Sequence, residues 1–333
     1  MIINILLIIA GVAMVLYGAD RLTDGASALA RRMNVSEAVI GLTIVAAGTS
    51  APELFVSLVS AVKGTPDMAV GNVVGSNIMN AMLIVGVAAM VAPMSISRRT
   101  VMRDIPWTVL ASVLLIILMA DNLLGRIDGL VLLAVFAVFM FFSLRDGTYG
   151  QTGEAQEETA NAQEGTDDAQ EGTDDAQEET GSRLMSPWMA VGYMIVGLAL
   201  LVGGSNLFVE SASDVALSLG ISEGIVGLTI VAGGTSLPEL ATSVVAARKG
   251  RSAMAIGNVI GSNVFNILLI LGFTATVSPL AIEGVTQADV AVVLLSVALV
   301  GLFARTRYTI EHWEGAVLTV GYLAYLAWLI ANI

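Results

Sequence analysis

Hydrophobic residues along this chain fall in long blocks, with polar residues gathered between them. A helix that crosses a bilayer needs about 20 mainly apolar residues. Ten blocks meet that length, at roughly 2–20, 35–62, 67–92, 104–121, 125–144, 187–209, 221–247, 253–277, 286–304 and 314–332. The second, third, seventh and eighth are long and interrupted by Gly, Ser, Asn or Pro. The pattern predicts an all-α membrane protein with ten transmembrane helices. Lys and Arg then set direction, because they concentrate on the cytoplasmic side. With both termini outside, 13 of the 15 basic residues fall in inner loops, and only Lys63 and Arg126 fall outside. Met1–Ala19 has no positive n-region and no obvious cleavage site, so it reads as a first span and not as a removed signal peptide.

The blocks repeat. Offset by 186, residues 35–86 match 221–272 at roughly 31 of 52 positions, and Gly18 pairs with Gly204. Five spans is an odd number, so the second copy must enter the membrane from the opposite face. The basic residues agree: Arg31 and Arg32 correspond to uncharged Leu217 and Ser218, and Val62 corresponds to Arg248. The sequence thus predicts a first repeat at 1–145, a linker at 146–186 and a second, inverted repeat at 187–333. An inverted repeat with broken helices near the midplane is a transporter signature, with the site between the copies.

Two stretches concentrate the chemistry, Gly48-Thr49-Ser50-Ala51-Pro52-Glu53 and Gly234-Thr235-Ser236-Leu237-Pro238-Glu239. A carboxylate at bilayer depth costs at least about 2.5 kcal/mol, which marks it as functional. Pro52 lacks an N–H and clashes with the carbonyl at Gly48, so the helix should break there and leave backbone oxygens free. Such backbone is tolerated only where it lines an internal polar cavity. Each half adds a second motif, Gly71-Asn72-Val73-Val74-Gly75-Ser76-Asn77-Ile78-Met79-Asn80 and Gly257-Asn258-Val259-Ile260-Gly261-Ser262-Asn263-Val264-Phe265-Asn266. Every candidate ligand is an oxygen, which favours hard cations, Ca²⁺ in particular. Two facing glutamates bring two negative charges, neutralised by one Ca²⁺, two Na⁺ or two protons. An empty, doubly ionised site in low dielectric is unfavourable, so the protein should change orientation while loaded.

Composition removes other classes. The chain is 56% hydrophobic with 34 Gly, which suits closely packed membrane helices and not a soluble domain. It has no Cys and one His, His312, so thiolate and His-cluster metal centres are out. The net charge of −13 arises largely from residues 146–182, which hold 12 acids and no base. The remainder is almost neutral and offers no basic patch for nucleic acid. Ala155–Ser182 is a seven-residue repeat without an apolar residue larger than Ala. It reads as a self-repelling, disordered cytoplasmic tether and not a coiled coil. A calcium-sensing role for it would require ligand spacing that it lacks.

Bland readings stand beside these. A membrane proline can be only a kink, and Ser or Thr can bond back to the preceding turn. Two copies in opposed halves, each with its own Glu, favour ion ligation. Gly71, Gly75, Gly257 and Gly261 suit close packing or site geometry. Asn72, Asn77, Asn258 and Asn263 read as helix-to-helix hydrogen bonds. Glu37 and Glu223 follow Ser36 and Ser222 and read as cap or dipole partners. Asp20, Asp24 and Glu210 read as solvated ends. An intramembrane hydrolase built on Ser50, Ser236 or the two glutamates is the rival from another class. The distance of His312 from both serines leaves it without a general base.

At these residues the chain resembles the calcium/cation antiporter superfamily, specifically its prokaryotic sodium/calcium exchanger branch. The GTSAPEL and GTSLPEL motifs, the paired GNVVGSN and GNVIGSN motifs, the ten spans and the inverted halves carry the likeness. It covers all of the chain except the acidic linker. The resemblance implies cation ligands at Thr49, Ser50, Glu53, Ser76, Asn80, Thr235, Ser236, Glu239 and Ser262, with backbone carbonyls at Ala46 and Ala232. Glu53 and Glu239 would bind both ions, carbonyls of Thr49 and Thr235 would complete a calcium shell, and the serines would complete sodium positions. It also implies that the spans at 2–20 and 187–209 move across the core to alternate access. Asn266 departs from the pattern, since sodium-coupled members often carry Asp there. That removes a third carboxylate and leaves room for proton coupling, because a desolvated carboxyl favours its neutral form. The expected function is Ca²⁺ efflux against Na⁺ by a monomer in a prokaryotic cell membrane, with lipid as surroundings and no cofactor. Exchange against H⁺ is the alternative.

Overall fold

The computed structural model describes residues 1–147, 185–220, 226, 230 and 232–331. The acidic repeat, Ser222 and Glu223 lie outside the described residues, so the readings placed on them do too. Among the described residues, the regular structure is helical apart from four two-residue strands. Its first half holds α1 (Ile2–Met33), α2 (Glu37–Thr49), α3 (Ala51–Val62), α4 (Pro66–Val91), α5 (Thr100–Leu118) and α6 (Arg126–Gly147). The second half holds α7 (Pro187–Ser218), α8 (Ala232–Thr235), α9 (Leu237–Arg248), α10 (Ser252–Val277), α11 (Gln287–Arg307) and α12 (His312–Ala331).

Among the described residues, eight helices are long and apolar enough to cross a membrane, and α2 with α3 forms a ninth, bent span. The expected span at 221–247 is described only in part. Two helix ends differ from expectation. The first and sixth expected spans were to stop near residues 20 and 209, yet their helices, α1 and α7, run to Met33 and Ser218. Polar side chains do not end a helix while its backbone bonds continue; α1 stops only at Asn34, which takes a left-handed conformation (φ 51°). Likewise α4 and α10 are continuous and not interrupted. Each contains a π-helical stretch, Asn80–Ile84 and Phe265–Leu271, so the polar residues are accommodated by an extra residue per turn.

Of the eight unbroken spans among the described residues, α10 is the most enclosed, its most apolar window 94% buried, against 22% for α1. Side chains such as Ile3, Leu6, Ile9 and Leu16 on α1 face outward, as lipid-facing positions do. Helices α1 and α7 pack antiparallel along a seam of small residues. A Cβ at Gly11, Gly18 or Gly25 would meet the carbonyl oxygens of Gly204, Gly197 and Ala190 at 2.8, 2.7 and 2.6 Å. Only glycine permits that approach, and close backbone packing is what joins membrane helices. A second seam sets α10 against α2: a Cβ on Gly257 would lie 2.4 Å from the Ala38 carbonyl oxygen. For Gly257 and Gly261 the close-packing reading therefore holds.

The strands tie the halves together. Met94–Ser95 (β1) pairs antiparallel with Thr309–Ile310 (β4), and Leu123–Leu124 (β2) pairs antiparallel with Leu280–Ala281 (β3). The offset of 186 carries β1 onto β3 and β2 onto β4. His312, for which no role was expected, lies beside the end of α4, with Nδ1 2.9 Å from the Ala89 carbonyl oxygen and 3.1 Å from that of Met90. Carbonyls at a helix C-terminus lack intrahelical donors, and a ring N–H supplies one.

Candidate ion-binding site

Both prolines break the chain as expected. Pro52 and Pro238 sit in the first turns of α3 and α9, where a missing N–H costs nothing. The residue before each new helix leaves helical geometry in the same way, Ser50 at φ −82°, ψ 7° and Ser236 at φ −89°, ψ 7°. The first break bends the span by 44°. The oxygens at the breaks are partly taken. The Ala46 carbonyl accepts the Ser50 N–H at 3.0 Å and lies 3.4 Å from Thr49 Oγ1. The Gly234 carbonyl, deprived of a donor by Pro238, accepts the Ser205 hydroxyl. Ala232 opens α8.

Each break delivers its glutamate to the other half. Ser50 donates to Glu239 Oε1 at 3.0 Å, and Ser236 donates to Glu53 Oε1 at 3.1 Å. Ser262 reaches the same Glu239 oxygen at 3.4 Å. Thr49, Ser50, Glu53, Ser76, Asn80, Ser236, Glu239, Ser262 and Asn266 are all buried, while Thr235 is half-buried. Glu53 Oε2, Glu239 Oε2, Ser76 Oγ and both amide atoms of Asn80 and Asn266 have no hydrogen-bond partner. A buried carboxylate oxygen without a donor is expensive, and native proteins satisfy nearly all such groups. An arriving cation satisfies oxygens and leaves amide nitrogens outside its shell. The contacts thus show two buried carboxylates, each bonded to a serine hydroxyl of the other half, with Ser262 as a further donor to Glu239. Among the described residues, no group of three or more His, Cys, Asp or Glu could hold a metal ion.

A shell of asparagines fixes this arrangement. Asn72 Nδ2 donates to the Glu53 carbonyl at 3.3 Å and to Ser57 Oγ at 3.0 Å, while its Oδ1 accepts from Thr235 at 3.4 Å. Asn258 does the same in mirror image, to the Glu239 carbonyl (3.5 Å), Ser243 (3.0 Å) and from Thr49 (3.2 Å). Their reading as helix-to-helix links therefore holds, and each also spans the two halves. Asn263 donates to the Asn77 carbonyl at 3.4 Å, whereas Asn77 bonds within its own helix to Val73. Ser57 and Ser243 were not singled out from the sequence, although the repeat preserves both.

Outside the centre, Ser36 caps α2 through Val39 N–H, and Glu37, read as a cap or dipole partner, stands in that first turn but accepts the Ser27 hydroxyl of α1. Asp20 and Asp24 are not simple solvated ends. Lys249 Nζ lies 2.6 Å from Asp20 and 2.9 Å from Asp24, and Arg251 lies 2.9 Å from Asp24. Because α1 runs on past residue 20, these carboxylates ride on a helix flank and meet the loop between α9 and α10.

Comparison with known proteins accords with this geometry. The model of the family described as sodium/calcium exchanger protein matches residues 3–145 and 189–331. A putative antiporter, CaxA, from Alkalimonas amylolytica is 34% identical, with 98% of each chain covered. The sodium/calcium exchanger MaX1 from Methanosarcina acetivorans is 33% identical, with 97% of each covered. A solved structure of the sodium-calcium exchanger NCX_Mj superposes with a TM-score of 0.81 at 29% identity, covering 98% of both chains. These matches span both helical halves and the fold as a whole, and they make the protein a multi-pass membrane antiporter that belongs to the sodium/calcium exchanger family.

Proposed function

We propose that this antiporter exchanges Ca²⁺ for Na⁺ by alternating access, with Glu53 and Glu239 as ligands shared by both ions. The observation that carries the reading is reciprocal: each carboxylate is held by a serine of the other half and keeps one buried oxygen without a partner. Ca²⁺ accepts such mixed oxygen shells, and the relatives named as sodium/calcium exchangers carry out this exchange by name. Backbone carbonyls of Thr49 and Thr235 complete the calcium shell, and Ser50, Ser236, Ser76 and Ser262 complete sodium positions. Asn80, Asn266 and the carbonyls of Ala46 and Ala232 are further cation ligands. Ten spans in two inverted repeats, 1–145 and 187–333, joined by the linker 146–186, complete the reading. The antiparallel α1–α7 seam and the exchanged strand pairs support it. Both termini face outward from a prokaryotic cell membrane, the linker is cytoplasmic, and the protein acts as a monomer. In this reading α1 and α7 move across the core.

Asn266 favours a second reading within the class, exchange of Ca²⁺ against H⁺, because the pocket holds two carboxylates and no third. Calcium uptake into vesicles, driven by a sodium gradient at clamped pH, separates the two. Sodium-driven uptake that disappears in Glu53→Gln and Glu239→Gln is expected. Uptake that ignores sodium and follows an imposed pH gradient would overturn the sodium reading.

A further inference from the structure

The offset that relates the halves also relates their charged flanks, and the structure treats the two flanks differently. On one flank, α1 lies along α9, and Asp20 and Asp24 are ion-paired with Lys249 and Arg251 of the α9–α10 loop. Lys249 also donates to the Asp20 carbonyl at 3.2 Å. Arg251 reaches Glu37 at 4.0 Å, and Glu37 accepts the Ser27 hydroxyl of α1. Five charged residues thus fasten α1 to the start of α2 and to the α9–α10 loop.

The opposite flank carries the counterparts, unfastened. Under the offset of 186, Lys249 becomes Lys63, Asp24 becomes Glu210, Asp20 becomes Asn206 and Arg251 becomes Thr65. The hairpin itself is preserved, with Gly64 at φ 82° and Gly250 at φ 72°. Yet α7 makes no packing against α3 comparable to that of α1 against α9. Lys63 and Glu210 are exposed, and neither makes an ion pair among the described residues, outside which Glu223, the counterpart of Glu37, lies. Ser213, the counterpart of Ser27, has a buried hydroxyl without a partner.

From this asymmetry we propose that the two flanks are alternating ionic latches. The Asp20–Asp24–Lys249–Arg251–Glu37 cluster closes one side in the conformation seen here. Glu210 meets Lys63 to close the other side after the α1–α7 pair has crossed the core. The inference rests on the alternating-access reading of the site. It adds an inequality: the first latch has several ion pairs and the second has one. Exposed pairs contribute little singly, and networks contribute more, so the ion-free protein rests with the first latch closed. Inverted repeats supply the geometry, because each copy takes the other's conformation when access alternates.

The chain has no cysteine, so Lys63→Cys with Glu210→Cys introduces the only thiols. In liposomes holding the full-length protein, a short bifunctional thiol reagent then reports how often α7 approaches the α3–α4 hairpin. Adding Asp24→Asn and Lys249→Gln is expected to raise the cross-linking yield about three- to tenfold. Asp24→Glu should return it to the starting value. Raising ionic strength should raise the yield of the Lys63→Cys, Glu210→Cys protein with the first latch left intact, since partly exposed pairs are screened. A yield that is the same in every background and at every salt concentration overturns the latch. Calcium uptake is read in the same liposomes with unsubstituted protein. Its absence overturns the exchange reading, while uptake with an invariant yield overturns the latch alone.

Discussion

Ser50 Oγ lies 3.0 Å from Glu239 Oε1, although 189 residues separate them in sequence. The mirror contact, Ser236 to Glu53, is 3.1 Å. Each half therefore orients the acid of the other, and neither half owns a complete pocket. Removing one charge from a paired, buried set costs about 2–5 kcal/mol. Glu53→Gln or Glu239→Gln should weaken Ca²⁺ binding at least about 30-fold. Ser50→Ala or Ser236→Ala removes one hydrogen bond, about 1 kcal/mol, and should weaken it about fivefold. Isothermal titration of the detergent-solubilised protein reads both, and similar losses for Ser and Glu variants would refute the ranking.

Asn80 and Asn266 give a test in which stability and activity move in opposite directions. Both are fully buried, and neither amide has a partner. Leucine removes those unsatisfied atoms while keeping the same branched shape and number of heavy atoms. Asn80→Leu and Asn266→Leu should therefore leave thermal stability in ion-free buffer unchanged or raised by about 1 kcal/mol, while lowering transport. A variant that melts early and transports normally would show that the amides serve the fold.

Asn72 and Asn258 should behave in the opposite sense. Each holds a glutamate carbonyl, a serine and a threonine of the other half. Truncation to Ala leaves several of those atoms unpaired, at about 1–3 kcal/mol. Denaturation midpoints of Asn258→Ala should fall first. Transport should fall with them, because the Thr49–Glu239 geometry loosens.

The α1–α7 seam predicts a steric result. A Cβ at Gly18 would lie 2.7 Å from the Gly197 carbonyl oxygen and 2.9 Å from Leu201 N, which are backbone atoms with nowhere to turn. Gly18→Ala should cost about 1–3 kcal/mol. Gly203→Ala, whose Cβ would meet only the tip of Met14 at 3.6 Å, is the matched control. Equal melting temperatures for the two variants would show that the seam is slack.

What could be read from the chain depended on whether a feature leaves a local chemical mark. The breaks at Ser50 and Ser236 were legible because proline removes a donor wherever it stands. The paired glutamates were legible because the repeat prints them twice. The ends of α1 and α7 were not, since charged residues sit on helices as readily as beyond them. The pairing of Asp24 with Lys249 was hidden for another reason. It joins residues 225 positions apart, and nothing in the period of either segment points to the other. The π-helical stretches that begin at Asn80 and Phe265 have no compositional signal, because one extra residue in a turn leaves the apolar pattern of the span intact.

The glycine seam also limits how the machine can fail. With backbone against backbone from Gly11 to Gly25, α1 and α7 form a single double-thickness strut that runs the depth of the molecule. In the proposed exchange cycle, a displacement at one end of that plank carries the other end with it. Two doors hung on such a plank do not need to signal to each other to avoid standing open together.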